Sequence, residues 1–264
     1  MRATPETIVP FRAKGFAPRS NPVMGAASIA ALVGLWQLGS SLGWISPVFL
    51  PAPHEVAGAI YRMAVSGELW RHLSVSLWRI VLGWTLGTVV GVAAGFAMGL
   101  FTLARSPMQA FVGILFPVPK IALVPLFIIW FGIDEGSKIA TIAIGVFFPT
   151  VISTAAGVEA VQKNLIRLGQ SFNLSRWSII TKIILPGALP SILAGFRITL
   201  SVSILLLVAA EMIGAQEGLG AYIIRAGDLF QTDSLIGGVV ILAALGLLFV
   251  GLLGLAERRL LRWR

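Results

Sequence analysis

Arg79, Lys120, Arg197 and Glu211 are charged residues set inside stretches that are otherwise apolar. A charge placed in hydrocarbon is costly enough to mark a functional question by default. The residue types rule out most covalent chemistry. The chain has no cysteine and only two histidines, His54 and His72, too few for a thiolate or histidine metal centre. It contains no Gly-Lys-Ser or Gly-Lys-Thr phosphate loop, so it cannot be an ATP-hydrolysing subunit. Glu211 is the one acid well inside an apolar stretch, and one acid without converging nucleophiles or metal ligands does not make a membrane-embedded enzyme. What remains is electrostatic work: pairing, gating, or contact with a charged solute. Lys120 leads these candidates because Pro117, Pro119 and Pro125 surround it. Proline removes a helix hydrogen bond, so the backbone there must be kinked or partly unwound, and such breaks in a membrane helix line cavities as well as serving packing.

The elements that carry these residues are membrane helices. Of 264 residues, 57% are hydrophobic and 12% charged, with a mean hydropathy of +0.91, well outside ordinary soluble composition. The fold class is therefore all-α and polytopic. A hydrocarbon core of about 30 Å needs roughly 20 helical residues, and six spans meet that need: 22–43, 73–101, 107–130, 137–157, 190–212 and 234–256. The domains are a cytoplasmic N-terminal segment, 1–21, and a transmembrane domain, 22–264. The polar segment before Asn21 and the long apolar run after it read as a first span rather than a cleavable signal. A net charge of +9 raises a nucleic-acid reading, but with both termini cytoplasmic only Arg62, Arg71, Lys138 and Arg225 fall in outer segments, so the excess is the positive-inside signature. Trp44, Trp70, Trp130 and Trp263 fall near span ends, as interfacial anchors do. By position, Arg79 is expected to snorkel to the outer interface, and Arg197 to snorkel or brace the cytoplasmic loop.

Two further patterns bear on assembly. Gly83, Gly87, Gly91, Gly95 and Gly99 recur every fourth residue, which strips one side of the second span of side chains and predicts close approach by another helix. Between the first two spans, Pro47, Pro51 and Pro53 break the chain before a short interfacial helix expected over 55–65.

The longest internal loop, 158–189, is basic and amphipathic. A helix over 164–172 presents Leu165, Ile166, Leu168 and Phe172 while Lys163 and Arg167 face water, and Ser175 begins a second run ending at Pro186. A cytoplasmic helix of this kind is built to dock in a groove, with a basic loop lying near anionic lipid as the alternative.

At PLFIIWFGIDEGSK (125–138), ILPGALP (184–190), GFRITL (195–200), AAEMIGAQEGLG (209–220) and the terminal ERRLLRWR, the chain resembles the binding-protein-dependent ABC permeases of the nitrate, taurine and aliphatic sulfonate type, aliphatic sulfonate permeases especially. The resemblance implies the type I ABC importer permease fold and a homodimer in a bacterial inner membrane. It also implies two ABC ATPase subunits as partners, which hold the ATP and magnesium while this chain holds no cofactor, and a periplasmic or lipid-anchored solute-binding protein. It implies a small anionic solute: sulfonate or taurine, with nitrate, bicarbonate, aromatic acids and pyrimidine-like compounds also open. In the family a Glu-Ala-Ala motif followed by Gly couples the permease to its ATPase. Aligned on ILPGALP, Arg167 stands where Glu is common, Leu168 and Gly169 at the small residues, and Asn173 at the Gly. The coupling set is thus Leu165, Ile166, Arg167, Leu168, Gly169, Phe172, Asn173, Leu174 and Ser175. The path set is Lys120, which would attract the anion or instead pair with a backbone carbonyl or an acid, with Pro119, Arg197 and Glu211, the last as a structural partner or gate because it would repel an anion. An ion-gradient transporter or channel also needs apolar helices, but no inverted repeat and no intramembrane relay of acids or histidines supports one.

Overall fold

The computed structural model describes residues 21–262. Among the described residues every long element is an α-helix: α1 (Pro22–Ser41), α2 (Pro53–Val65), α3 (Glu68–Leu100), α4 (Thr102–Leu115), α5 (Val124–Phe131), α6 (Glu135–Glu159), α7 (Lys163–Ser171), α8 (Arg176–Ile179), α9 (Leu185–Met212), α10 (Leu219–Asp228) and α11 (Thr232–Leu260). Five of the rods are long and apolar enough to cross a membrane, with α8 and α9 counted as one, and the bent pair formed by α4 and α5 makes a sixth.

The glycine repeat explains the centre of the bundle. A β-carbon on Gly83 would lie 2.7 Å from Ile142 Cβ, on Gly91 2.8 Å from Thr150 Cβ, and on Gly99 2.8 Å from Val158 Cβ; Gly87 and Gly95 face Val146 and Thr154 in the same way. Every fourth residue of α3 thus meets every fourth residue of α6, and the two backbones touch along about five turns. Behind this seam α9 packs on α6, and Ile80, Ile142, Val146, Leu206, Leu207, Leu219 and Leu245 close the core between α3, α6, α9, α10 and α11. Trp84 Nε1 donates to Thr199 Oγ1 at 3.0 Å across the same layer.

Two features depart from the expected spans. α3 begins at Glu68 rather than 73 and is 33 residues long, so its first turns rise beyond the start of α6 and pack instead with α2 and α10. The run from Ser175 does not end at Pro186. Arg176–Met212 forms one rod, because a π turn over Ile180–Ile184 loosens the hydrogen-bond ladder where a mid-helix proline would clash with the preceding turn. α1 stands largely apart from the rest; only Gly39 and Ser40 are buried, and Trp36 Nε1 donates to Pro51 O at 3.0 Å.

Candidate functional site: a docking handle, a broken span and a buried ion cluster

At the end of the bundle where α6 finishes, α7 folds back against α8 and the π turn. Gly169 is the contact point: a β-carbon there would sit 2.9 Å from Ile183 Cδ1 and 3.5 Å from Leu174 Cδ1. Asn173 closes the helix with φ 55°, the left-handed region that Asn tolerates better than most residues. Leu174 N donates to Gly169 O at 3.0 Å and Asn173 N to Gln170 O at 2.9 Å, the paired bonds of a Schellman cap. Ser175 then caps α8 by accepting from Ser178 N at 3.2 Å. A short, tightly closed hairpin results. On it Leu165, Leu168 and Leu174 are exposed, and Phe172 and Trp177 are each 73% exposed, while Ile166 packs inward on the cluster of Val158, Val161, Ile179 and Ile184. Trp177 lies beyond the set expected from sequence; its place just after the Ser175 cap, in an amphipathic cytoplasmic run, was the available signal. At the root of the hairpin Arg105 pairs with Glu159 at 2.6 Å.

The break in the third span is an 89° bend between α4 and α5. Pro119, extended at φ −63° and ψ 112°, opens a single 3-10 turn over Lys120–Leu123. Lys120 Nζ donates to Leu115 O at 2.7 Å, Phe116 O at 3.0 Å and Val118 O at 2.6 Å and lies 4.8 Å from the centre of the Phe148 ring. An ammonium has three N–H donors, and all three here hold carbonyls at and just beyond the end of α4, of which Leu115 O also accepts from Val118 N at 3.2 Å. The far end of α5 is held in the same way. Lys138, expected in an outer loop, is 4% exposed and donates to Ile133 O at 2.5 Å and Asp134 O at 2.9 Å.

Arg79 does not snorkel. It is 3% exposed, and its guanidinium is engaged on every side: Nε and NH2 donate to the two carboxylate oxygens of Glu135 at 2.7 and 2.6 Å, and NH1 donates to Glu211 Oε1 and Glu217 O, each at 2.7 Å. The physical reason is that Glu135 opens α6 level with Arg79 and Glu211 ends α9 beside it, so paired acids replace interfacial water as the solvent of the cation. Glu211, 0% exposed, also accepts from Ser76 Oγ and from Gly220 N, each at 2.8 Å. The loop before α10 wraps it so closely that a β-carbon on Gly220 would be 2.9 Å from Glu211 Cβ, and Gly218, at φ 125°, occupies backbone space that favours glycine. His72 Nδ1 accepts from Gly218 N at 3.0 Å. Sequence reasoning missed Glu135, Ser76 and His72 because they are far from Glu211 along the chain and lie at helix starts. Arg197, by contrast, pairs with Glu257 at 2.7 Å, half exposed, tying α9 to α11.

Residues 87–262 match the family model described as binding-protein-dependent transport system inner membrane component. The chain belongs to this family. The permease is 40% identical over 246 residues to the taurine transport system permease protein TauC of Escherichia coli K12, covering 91% of this chain and 89% of the relative. It is 39% identical over 232 residues, 88% of each chain, to the E. coli K12 protein provisionally named an aliphatic sulfonates transport permease, SsuC. Among solved structures, the inward-facing MetNI methionine ABC transporter aligns with a TM-score of 0.56 at 22% identity, over 74% of this chain and 93% of that one. An amino acid ABC transporter aligns with a TM-score of 0.57 at 20% identity, over 75% and 94%. The permease therefore has the type I ABC importer permease fold and is a multi-pass protein of the inner membrane.

Proposed function

We propose that the permease brings a small anionic solute, an aliphatic sulfonate or taurine, through the membrane as one of two identical copies. In this reading α7 and the Asn173 turn are the handle through which a separate ATPase drives it. The observation that carries this is the exposure of Leu165, Leu168, Phe172, Leu174 and Trp177 on one capped hairpin that also carries Lys163, Arg167 and Arg176. Apolar side chains held in water on a capped hairpin need a partner to cover them, and the positive-inside bias puts that partner in the cytoplasm.

Two ATPase subunits, holding ATP and magnesium, would grip the two handles, and a solute-binding protein would deliver the solute on the opposite face. Closing of the ATPases would draw the handles together. The rod Arg176–Met212 continues from handle to core without a break, so force on α8 passes directly into α9. Lys120 acts on the path by holding the bend of α4 and α5 rather than by contacting the anion, because its donors are all engaged by carbonyls. The sulfonate assignment is supported by the names of TauC and SsuC.

Uptake of radiolabelled taurine and of an alkylsulfonate into proteoliposomes containing permease, ATPase and binding protein tests the reading. ATP-dependent uptake of one of them, competed poorly by nitrate, is expected. Uptake that persists without ATPase or ATP overturns it.

A further inference from the structure

Among residues 160 to 210 there is no Asp or Glu; Glu159 and Glu211 bound the gap. The handle lies wholly within that gap and carries Lys163 and Arg167, with Arg176 and Lys182 following on α8 and the π turn, all four exposed. Among the described residues none of the four makes an ion pair, whereas Arg105, Arg197 and Arg62 at the bundle surface all do. Membrane topology alone does not explain this. The positive-inside rule asks for Lys and Arg in cytoplasmic loops, but acids contribute little to orientation, so topology leaves acids free to pair with these cations. Their absence leaves the handle with an unneutralised charge.

The charge is also placed. Successive residues of a helix turn by about 100°, which sets Ile166 and Gly169 on the face toward α8, Lys163 and Arg167 along one flank, and Leu165, Leu168 and Phe172 along the other. Cations and apolar groups thus form two separate stripes on either side of the outward edge of α7. A lipid surface suits an amphipathic helix whose cations flank a continuous apolar face lying flat on the bilayer. On α7 the protein-facing residues occupy the inner side, and the apolar stripe continues around the Asn173 turn to Phe172, Leu174 and Trp177 at the tip, a shape suited to insertion into a cleft.

We propose that the cleft receiving the handle is chemically divided: an apolar wall against Leu165, Leu168 and Phe172, and a wall bearing carboxylates against Lys163 and Arg167. This rests on the reading of α7 as the ATPase handle and adds the sign of its partner. Arg167 is then a specificity residue: it admits an ATPase whose cleft is acidic at that point and rejects one whose cleft carries a cation there, since like charges brought together in an interface are strongly unfavourable.

The test uses the full permease in nanodiscs of phosphatidylcholine with the purified ATPase subunit whose hydrolysis it stimulates. Arg167→Lys provides an amine that a carbodiimide joins to a carboxylate in salt-bridge contact, and peptide mapping identifies the carboxylate. Because the chain has no cysteine, Phe172→Cys carrying a benzophenone maleimide reports docking whatever the charge of the cleft. The expected result is an amide between Lys at 167 and an Asp or Glu of the ATPase, and a loss of affinity of about tenfold or more for Arg167→Glu that shrinks at high salt. Docking reported by the benzophenone with no amide formed, or full affinity in Arg167→Glu, overturns the proposal while leaving the handle intact. No cross-link from either position removes the handle reading itself. An effect of Arg167→Glu that appears only with phosphatidylglycerol in the nanodisc assigns the cations to lipid and also overturns the proposal.

Discussion

The two ends of the permease handle charge and apolar surface in opposite ways. At one end, Arg79, Glu211, Ser76 and the Gly218–Gly220 loop form a closed set with the half-exposed Glu135 at its rim; the cation meets two acids and a carbonyl, and Glu211 accepts from three groups. At the other, the segment from α7 through the π turn carries four cations that pair with no acid among the described residues, and five large exposed apolar side chains. A buried ion pair contributes little net stability, but removing one partner strands the other in a dry site. An exposed apolar hairpin costs little to alter unless a partner uses it. In the proposed reading the cluster around Glu211 serves the fold and the open hairpin serves the assembly, and substitutions should separate the two.

Arg79→Met is expected to have the largest effect, leaving the buried Glu211 without its cation at a cost of about 3–5 kcal/mol, while the half-exposed Glu135 returns to water. Its signature is loss of monodisperse permease in detergent and a lowered unfolding temperature. The double variant Arg79→Met with Glu211→Leu should recover part of that loss, and a double variant no better than the single would break the ion-pair account. Next comes Gly91→Leu, which drives a side chain into Thr150 at the α3–α6 seam and should cost about 1–3 kcal/mol or more in overpacking. Normal yield with normal coupling in that variant would refute the seam as a close contact. Lys120→Met leaves three carbonyls without their donor. Stability is expected to fall by about 1–3 kcal/mol, with the maximal uptake rate reduced and the half-saturating solute concentration nearly unchanged. A selective loss of affinity for the anion would instead return Lys120 to the solute path. Smallest for folding is Trp177→Ala on the handle, within about 0.5 kcal/mol of the parent in thermal unfolding, yet with solute-stimulated ATP hydrolysis clearly reduced.

Much of this division was legible in the residues. Apolar run lengths located the helices, and four-residue glycine spacing located the seam, because both signals are local and periodic. The handle was legible for the same reason: its amphipathic pattern, the Ser175 cap and the Asn173 turn lie within a dozen residues. The ion cluster was not. Glu135 and Glu211 reach Arg79 across 56 and 132 positions of chain, and a sequence gives no direct sign that a charge near a span end faces a partner rather than the interface. Lys120 and Lys138 show a related limit. The prolines announced a break, and a backbone carbonyl was one partner open to Lys120, but only the path of the backbone brings particular carbonyls to each ammonium. The π turn before Pro186 was equally hidden, since it depends on how the ladder relaxes rather than on a residue type.

The account depends most on Phe172 as the tip of a handle worked by another protein. ATP hydrolysis and solute uptake, measured together in proteoliposomes containing Phe172→Ala permease, ATPase and binding protein, test this directly. The prediction is a permease with the parent's unfolding temperature whose solute-stimulated hydrolysis and uptake both fall by about tenfold, as loss of an anchoring aromatic at an interface implies. Uptake and stimulation at the parent's level in a correctly folded variant would contradict it.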